Sequence, residues 1–226
     1  MCSVFLCVLS LRAQDSTKGT DVGSQFATTK TVLSIFGGPT LPTGDFADPN
    51  IGAANVGYTF GAQLVNGRNF GFLLNASYIS NPTNIGESIQ SKGGSGSVDN
   101  WKSFLFLAGL KYGTYNDTKP NFLFAPVFGV LFVSSPNIDY SLTETWPGLV
   151  LQEHYSTASV SSSAFAYGAM IELDTKVISL GVRYIASKPT FHFSTQYSEN
   201  TGVQTTWQSS PQQNISFLQV VLGVVF

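Results

Sequence analysis

The sequence predicts an all-β protein, an eight-stranded antiparallel up-and-down transmembrane β-barrel. Three observations carry that expectation. Charged side chains make up only 11% of the 226 residues, while 43% are apolar and 13% aromatic. An ordinary soluble domain is roughly 25% charged, so either the core is very large or part of the outer surface avoids water. Alternating apolar runs recur at 30–38, 56–65, 70–80, 101–114, 121–133, 162–173, 176–187 and 214–226. The connections between them then alternate strictly between short and long.

The strand lengths suit a bilayer, because about 10 residues tilted near 45° cross one. No segment reads as a spanning helix. The longest apolar stretch, Phe122–Val133, contains Pro126 and falls well short of the roughly 20 residues that a helix needs. Segments 66–69, 115–120 and 174–175 are tight, and Asn66-Gly67 is a strong hairpin signal. Segments 39–55, 81–100, 134–161 and 188–213 are long, polar and rich in Ser, Thr, Asn and Gly. Short turns on one side and long loops on the other, with an even strand number, define a meander that closes on itself with both termini at the turn end.

The two faces of each strand indicate which one meets lipid. Phe104, Phe106, Ala108, Leu110 and Tyr112 alternate with Ser103, Leu105, Leu107, Gly109 and Lys111. Ile178, Leu180, Val182 and Tyr184 oppose Ser179, Gly181 and Arg183, and Phe165, Tyr167, Ala169, Ile171 and Leu173 oppose Ala166, Gly168, Met170 and Glu172. A soluble barrel puts bulky residues inside and polar ones in water. Here the bulky face is uniformly apolar, so it is expected to face lipid, and the mixed face the lumen. Interfacial aromatic girdles are expected at Tyr58, Tyr78, Trp101, Phe132 and Tyr167 on the loop side. Phe72, Tyr112, Phe122 and Phe226 would form the girdle on the turn side.

Residues 1–14 read as a secretory signal, cleaved after Gln14, whose charged leading region would lie upstream of Met1. Residues 15–29 follow as an N-terminal periplasmic segment, and the barrel domain occupies 30–226. Both cysteines, Cys2 and Cys7, fall inside the signal, so the mature chain is expected to hold no disulfide and no thiolate metal site. The net charge of -2 gives no reason to expect nucleic acid. His154 and His192 lack metal-site spacing, and no phosphate-binding or dinucleotide glycine pattern opens a helix. Neither a metal nor a cofactor is expected.

With these features the chain resembles the small outer-membrane barrels grouped as OmpA/OmpW-like, or outer membrane protein β-barrel, domains. The resemblance spans residues 30–226 and rests on architecture. Gly37-Gly-Pro-Thr-Leu-Pro42-Thr-Gly44-Asp-Phe46 looks like the first strand and loop of such barrels in Bacteroidetes-type bacteria. The final strand, with Leu218, Val220, Leu222 and Val224 on one face and Phe226 closing it, is similar to the signal read by the barrel-assembly machinery. The resemblance implies an outer-membrane location with loops outside and termini periplasmic, lipid as the surrounding partner, and a monomer.

A barrel of eight strands has room inside for side chains or one small ligand. The expected lumen network is Gln63, Asn75, Lys111, Glu172 and Arg183, with Lys111 placed to pair with Glu172. Catalytic residues are not expected. The enzymatic alternative is a lipid A hydrolase built on His192 and Ser194 with Glu199 nearby, although neighbouring residues depart from that family's pattern. A second alternative is a secreted soluble β-barrel or sandwich binder. Long loops on a rigid scaffold usually carry function. Loops 134–161 and 188–213, with Tyr140, Trp146, Leu149, Val150 and Leu151, are therefore the expected place for an extracellular ligand. The roles that remain are envelope structure, surface interaction and passage of a small apolar solute.

Overall fold

The computed structural model describes residues 31–114, 120–175 and 177–226. The expected signal and N-terminal segments, and most of the 115–120 turn, lie outside the described residues.

In chain order the strands are β1 (Thr31–Thr43), β2 (Gly57–Gly67), β3 (Phe70–Asn81), β4 (Ser95–Val98), β5 (Trp101–Gly113), β6 (Asn121–Ser134), β7 (Ile138–Trp146), β8 (Leu149–Thr157), β9 (Ser161–Asp174), β10 (Ile178–Ser187), β11 (Phe193–Glu199), β12 (Gln204–Ser209) and β13 (Ile215–Val225). A short helix, α1 (Ile85–Ser91), precedes β4, and a 3-10 turn at Gly44–Phe46 follows β1. Eight strands close into one antiparallel barrel in the order β1-β13-β10-β9-β6-β5-β3-β2, as the alternation predicts. The seam is the β1–β13 ladder, from Ser34 opposite Val225 to Thr43 opposite Ser216. The start of β1 and the end of β13 meet at the short-turn side, where the Phe226 N–H donates to the Leu33 carbonyl.

One expected strand boundary needs correction. β1 runs to Thr43 rather than stopping at 38, because its ladders to β2 and β13 hold it extended through Pro39 and Pro42. Gly38 permits this: a Cβ there would lie 1.9 Å from the Val220 carbonyl oxygen. Three of the long loops, 81–100, 134–161 and 188–213, carry strands of their own. They contribute a second sheet of five strands, ordered β12-β11-β8-β7-β4, built from hairpins that extend beyond the barrel rim.

The barrel wall has its bulky face outward. Phe60, Tyr78, Phe104 and Phe132 stand in register across β2, β3, β5 and β6. Nearer the turns, Phe70, Tyr112 and Phe124 form a second row. Phe60 and Tyr78 pack 5.3 Å apart, Tyr78 and Phe104 5.1 Å, and Phe70 and Tyr112 5.0 Å. Of the girdle residues that the sequence suggests, Tyr78, Phe132 and Tyr112 stand in these rows, and Tyr58, Tyr167, Phe72, Phe122 and Phe226 are exposed elsewhere on the described surface, with one exception. Trp101 is buried inside the barrel mouth, as its shared parity with Ser103 and Lys111 requires. From Phe122 to Phe132 the exposed apolar face of β6 spans ten residue steps, or about 25 Å of height at ~3.4 Å per residue and ~40° tilt. That is the height of the apolar band on outer-membrane barrels.

Candidate functional site

The lumen is occupied by side chains from alternate positions on every barrel strand. Leu73, Leu105, Leu123, Leu131, Met170, Ile185 and Phe217 fill much of it. A polar group sits among them. Arg183 and Glu172 are each 2% exposed and form an ion pair at 2.5 Å, with Arg183 Nε adding a second bond at 3.1 Å. Gln63 closes the arrangement, donating to Glu172 Oε2 at 2.6 Å and accepting from Arg183 Nη2 at 2.9 Å. Asn75 reaches Gln63 at 3.4 Å, and the Phe36 ring lies 3.8 Å below the guanidinium. Each charge therefore has both an opposite charge and a neutral hydrogen-bond partner, as a buried ion pair needs, and of the guanidinium nitrogens Nη1 alone has no partner among the described residues.

Of the five residues expected in the lumen, four come together. Lys111 does not join them. Its ammonium donates to the Gly67 and Arg68 carbonyls at 3.0 and 2.7 Å, capping the turn below, so the Lys111–Glu172 pair is not formed. The physical reason is reach: Lys111 lies opposite Gly71, next to that turn, while Glu172 lies opposite Gly181 and beside Arg183. Gln219 is a buried lumen residue outside the expected set, in register with both Arg183 and Thr40. Its alternation with Leu218 and Val220 is the signal that points inward.

Above the polar group, aromatic rings close the mouth. Phe46 meets Trp101 edge-on at 5.4 Å, Trp101 meets Phe191 at 5.7 Å, and Phe191 stacks on Phe193 at 5.4 Å. The indole N–H donates to the Gly52 carbonyl at 3.0 Å, so the one polar atom of the plug is satisfied. Phe46 and Phe191 come from two different loops, and no short-range pattern in the sequence joins them to Trp101.

The second sheet has an aromatic face and a polar face. Tyr140 and Tyr155 are direct cross-strand partners, stacked at 4.9 Å, and Tyr155 packs on its other partner, Tyr197, at 4.9 Å. Trp207 on β12 extends the row, 5.6 Å from Tyr197. Glu153 lies within reach of the Tyr155 hydroxyl at 3.2 Å and of the Tyr197 hydroxyl at 3.1 Å, and Tyr197 also bonds Glu199. Bonds from the Thr201 and Tyr197 hydroxyls hold the Glu199 carboxyl below its usual range. The same contact with Glu199 pushes the Tyr197 phenol well above 10. Burial, then the Glu153 charge, pushes Tyr155 and Tyr140 up as well.

His192, Ser194 and Glu199 do not assemble. His192 Nδ1 pairs with the Ser210 hydroxyl at 2.8 Å, and Glu199 is engaged by Tyr197 and Thr201. Ser194 and Glu199 are five residues apart in one strand, which puts them on opposite faces. A different serine, Ser141, meets a histidine: His154 Nδ1 lies 3.2 Å from its hydroxyl, and Nε2 lies 3.8 Å from Asp139. All three are surface residues on the polar face. Among the described residues, no cluster of His, Cys, Asp and Glu suits a metal ion.

No protein-family model matches this chain, and no curated protein does. Among solved structures, the chain is similar to a major outer membrane protein from Thermus thermophilus. The TM-score is 0.50 at 12% identity, over 87% of this chain and 100% of that one. Neisserial surface protein A is matched at a TM-score of 0.43 and 9% identity, over 87% of this chain and 97% of that one. At such identities the likeness to the Thermus protein is one of fold: a closed, eight-stranded antiparallel barrel.

Proposed function

We propose that this chain is a non-enzymatic integral outer-membrane protein whose barrel holds a rigid loop sheet outside the cell for surface interaction. The observation that carries this reading is the inverted wall. Rows of exposed Phe, Tyr, Leu, Ile and Val ring the barrel, while Arg183, Glu172, Gln63 and Asn75 are buried within it. Exposed in water, such a wall would cost roughly 25 cal/mol per Å² of apolar surface; in hydrocarbon that cost disappears. Location in the outer membrane is supported by the fold shared with the Thermus protein, and we infer loops outside and termini periplasmic from the alternation of short turns and long loops. Phe226 at the end of β13 fits the assembly signal, and the segment Gly37–Phe46 fits the OmpA/OmpW-like group.

Surface interaction is favoured over solute passage by the filled lumen and the Phe46–Trp101–Phe191 plug. The loops spend their residues on a hydrogen-bonded sheet rather than on a wide opening. The test has two arms. Fractionation should place the protein in the outer membrane, with unboiled samples migrating as a distinct folded band, and planar bilayers should show no sustained conductance. Protein recovered in the soluble fraction without detergent would overturn the membrane reading. Steady single-channel currents would overturn the closed lumen.

A further inference from the structure

We propose that the cleft between α1 and β7 is a binding site for a neutral saccharide, with the Tyr140 ring as its stacking platform. This rests on the loop sheet serving surface interaction, and it names the class of ligand. The cleft encloses about 590 Å³, the size that takes a few sugar units rather than a protein segment. Tyr140 and Leu142 of β7 form one wall, and Asn50, Asn84, Glu87 and Lys92 contribute polar groups around it. One face of Tyr140 is covered by Tyr155. On the other side its register partner is Gly96, which has no side chain to cover the ring.

The walls are held in place before any ligand arrives. Gly94 lets α1 close on β7: a Cβ there would meet Leu142 Cδ2 at 2.5 Å and Ile89 Cγ2 at 2.7 Å. The loop carrying Asn50 is tied to the start of α1 by Asn84 N–H to the Ala53 carbonyl at 2.9 Å and Asn55 N–H to the Pro82 carbonyl at 2.7 Å. Asn55 Nδ2 adds a bond to Asn84 Oδ1 at 2.9 Å. Preorganisation of this kind lowers the ordering cost of binding.

The chemistry fits a sugar for two reasons. The C–H face of a pyranose packs on an aromatic ring while its hydroxyls need amide, carboxylate and ammonium partners on the flanks. Tyr140 with Asn50, Asn84, Glu87 and Lys92 supplies that mixture. The lining itself holds one carboxylate, Glu87, and one ammonium, Lys92, so it carries no net charge to demand an ionic ligand. The Glu87 carboxylate and the Lys92 ammonium have no hydrogen-bond or ion-pair partner among the described residues, which leaves both available to a ligand.

The experiment is an array of neutral oligosaccharides of glucose, galactose, mannose, N-acetylglucosamine and N-acetylgalactosamine, with oligogalacturonate as the anionic comparison. It is probed with the detergent-solubilised full chain, and hits are measured by calorimetry. At least one neutral oligosaccharide is expected to bind. Tyr140→Ala should weaken it by about tenfold or more, and Glu87→Ala by a smaller factor. Tyr140→Phe, which keeps the ring, should bind nearly as the native protein does, and Trp207→Ala, at the far end of the aromatic row, should leave binding unchanged. Persistence of the folded band on unboiled gels separates loss of the site from loss of the fold. Retention of oligogalacturonate alone, retention of no sugar, or binding indifferent to both Tyr140→Ala and Glu87→Ala would overturn the proposal. A protein that fractionates to the outer membrane yet binds no sugar would refute the ligand and leave the barrel reading intact.

Discussion

The barrel wall and the loop sheet are built from the same chain with the same two-residue period, yet they use that period differently. In the wall, Leu74, Phe106 and Val182 point away from the protein, while Arg183 and Glu172 are enclosed. In the sheet, Asp139, Ser141, Gln152, His154, Ser156, Gln196 and Thr206 share one face, while Tyr140, Tyr155 and Tyr197 pack on one another on the other face and stay partly exposed. The difference shows that alternation fixes only which residues share a face. The surrounding solvent decides which face is outside.

The largest effect should come from opening the lumen pair. Replacing Arg183 by Met leaves Glu172 buried with no opposite charge beside it. Removing one partner of a buried pair typically costs about 3–5 kcal/mol. Replacing both, as in Arg183→Met with Glu172→Leu, should recover most of that loss, because the desolvation cost of both charges is then removed. Urea unfolding of barrels reconstituted in liposomes measures both variants. Equal destabilisation by the single and double changes would mean that the pair is not the unit of stability.

A single charge tests the two solvents directly. Leu74 lies midway along the exposed face of β3, so Leu74→Arg should cost about 2–4 kcal/mol, as charges do at the bilayer midplane. Thr206 sits exposed on β12, an edge of the loop sheet. Thr206→Arg there should change stability by no more than about 0.5 kcal/mol. If both changes were tolerated equally, the exposed rings of the wall would not be in hydrocarbon.

The same contrast explains what the sequence discloses. The eight barrel strands are legible because lipid demands an apolar residue at every second position, and no soluble constraint competes with it. Strands β7, β8, β11 and β12 are not, since Ser, Thr and Gln on one face and mixed Tyr and Glu on the other look like polar loop. β7–β8 and β11–β12 pair as local hairpins, but the β8–β11 and β4–β7 ladders join segments distant in sequence. Four lumen residues, Gln63, Asn75, Glu172 and Arg183, follow from inward parity, but their pairing depends on height along the barrel, which parity does not encode. That is why Lys111 is the natural partner for Glu172 on paper, while Arg183 holds it in the fold. Tyr140 stands out in the sequence as an apolar loop residue; the cleft beside it needs α1 and Gly96, which no local pattern brings to it.

The smallest expected effect distinguishes the sheet's own chemistry from the wall's. Tyr140, Tyr155 and Tyr197 all have raised phenol pKa values, and the Glu153 charge contributes to each. An acid whose folded pKa lies above its unfolded value, here about 10, keeps its proton in the folded state after the unfolded chain has released it. Folding is then favoured fully below pH ~10 and progressively less as pH rises through the folded values. Glu199 has the opposite sign: its lowered pKa favours the folded sheet above the unfolded carboxyl value of about 4.3, and that contribution is lost as pH falls through the folded value. The sheet should therefore loosen in strong base while the barrel, whose folded band on unboiled gels reports it separately, persists. Absorbance titration of tyrosinate should show a late-titrating set in the native protein. Glu153→Gln should bring that set forward by removing the negative charge beside all three phenols. If every tyrosine titrated together near pH ~10 in both proteins, Tyr140, Tyr155 and Tyr197 would not form the packed row, and the sheet would lack the rigidity that distinguishes it from an ordinary loop.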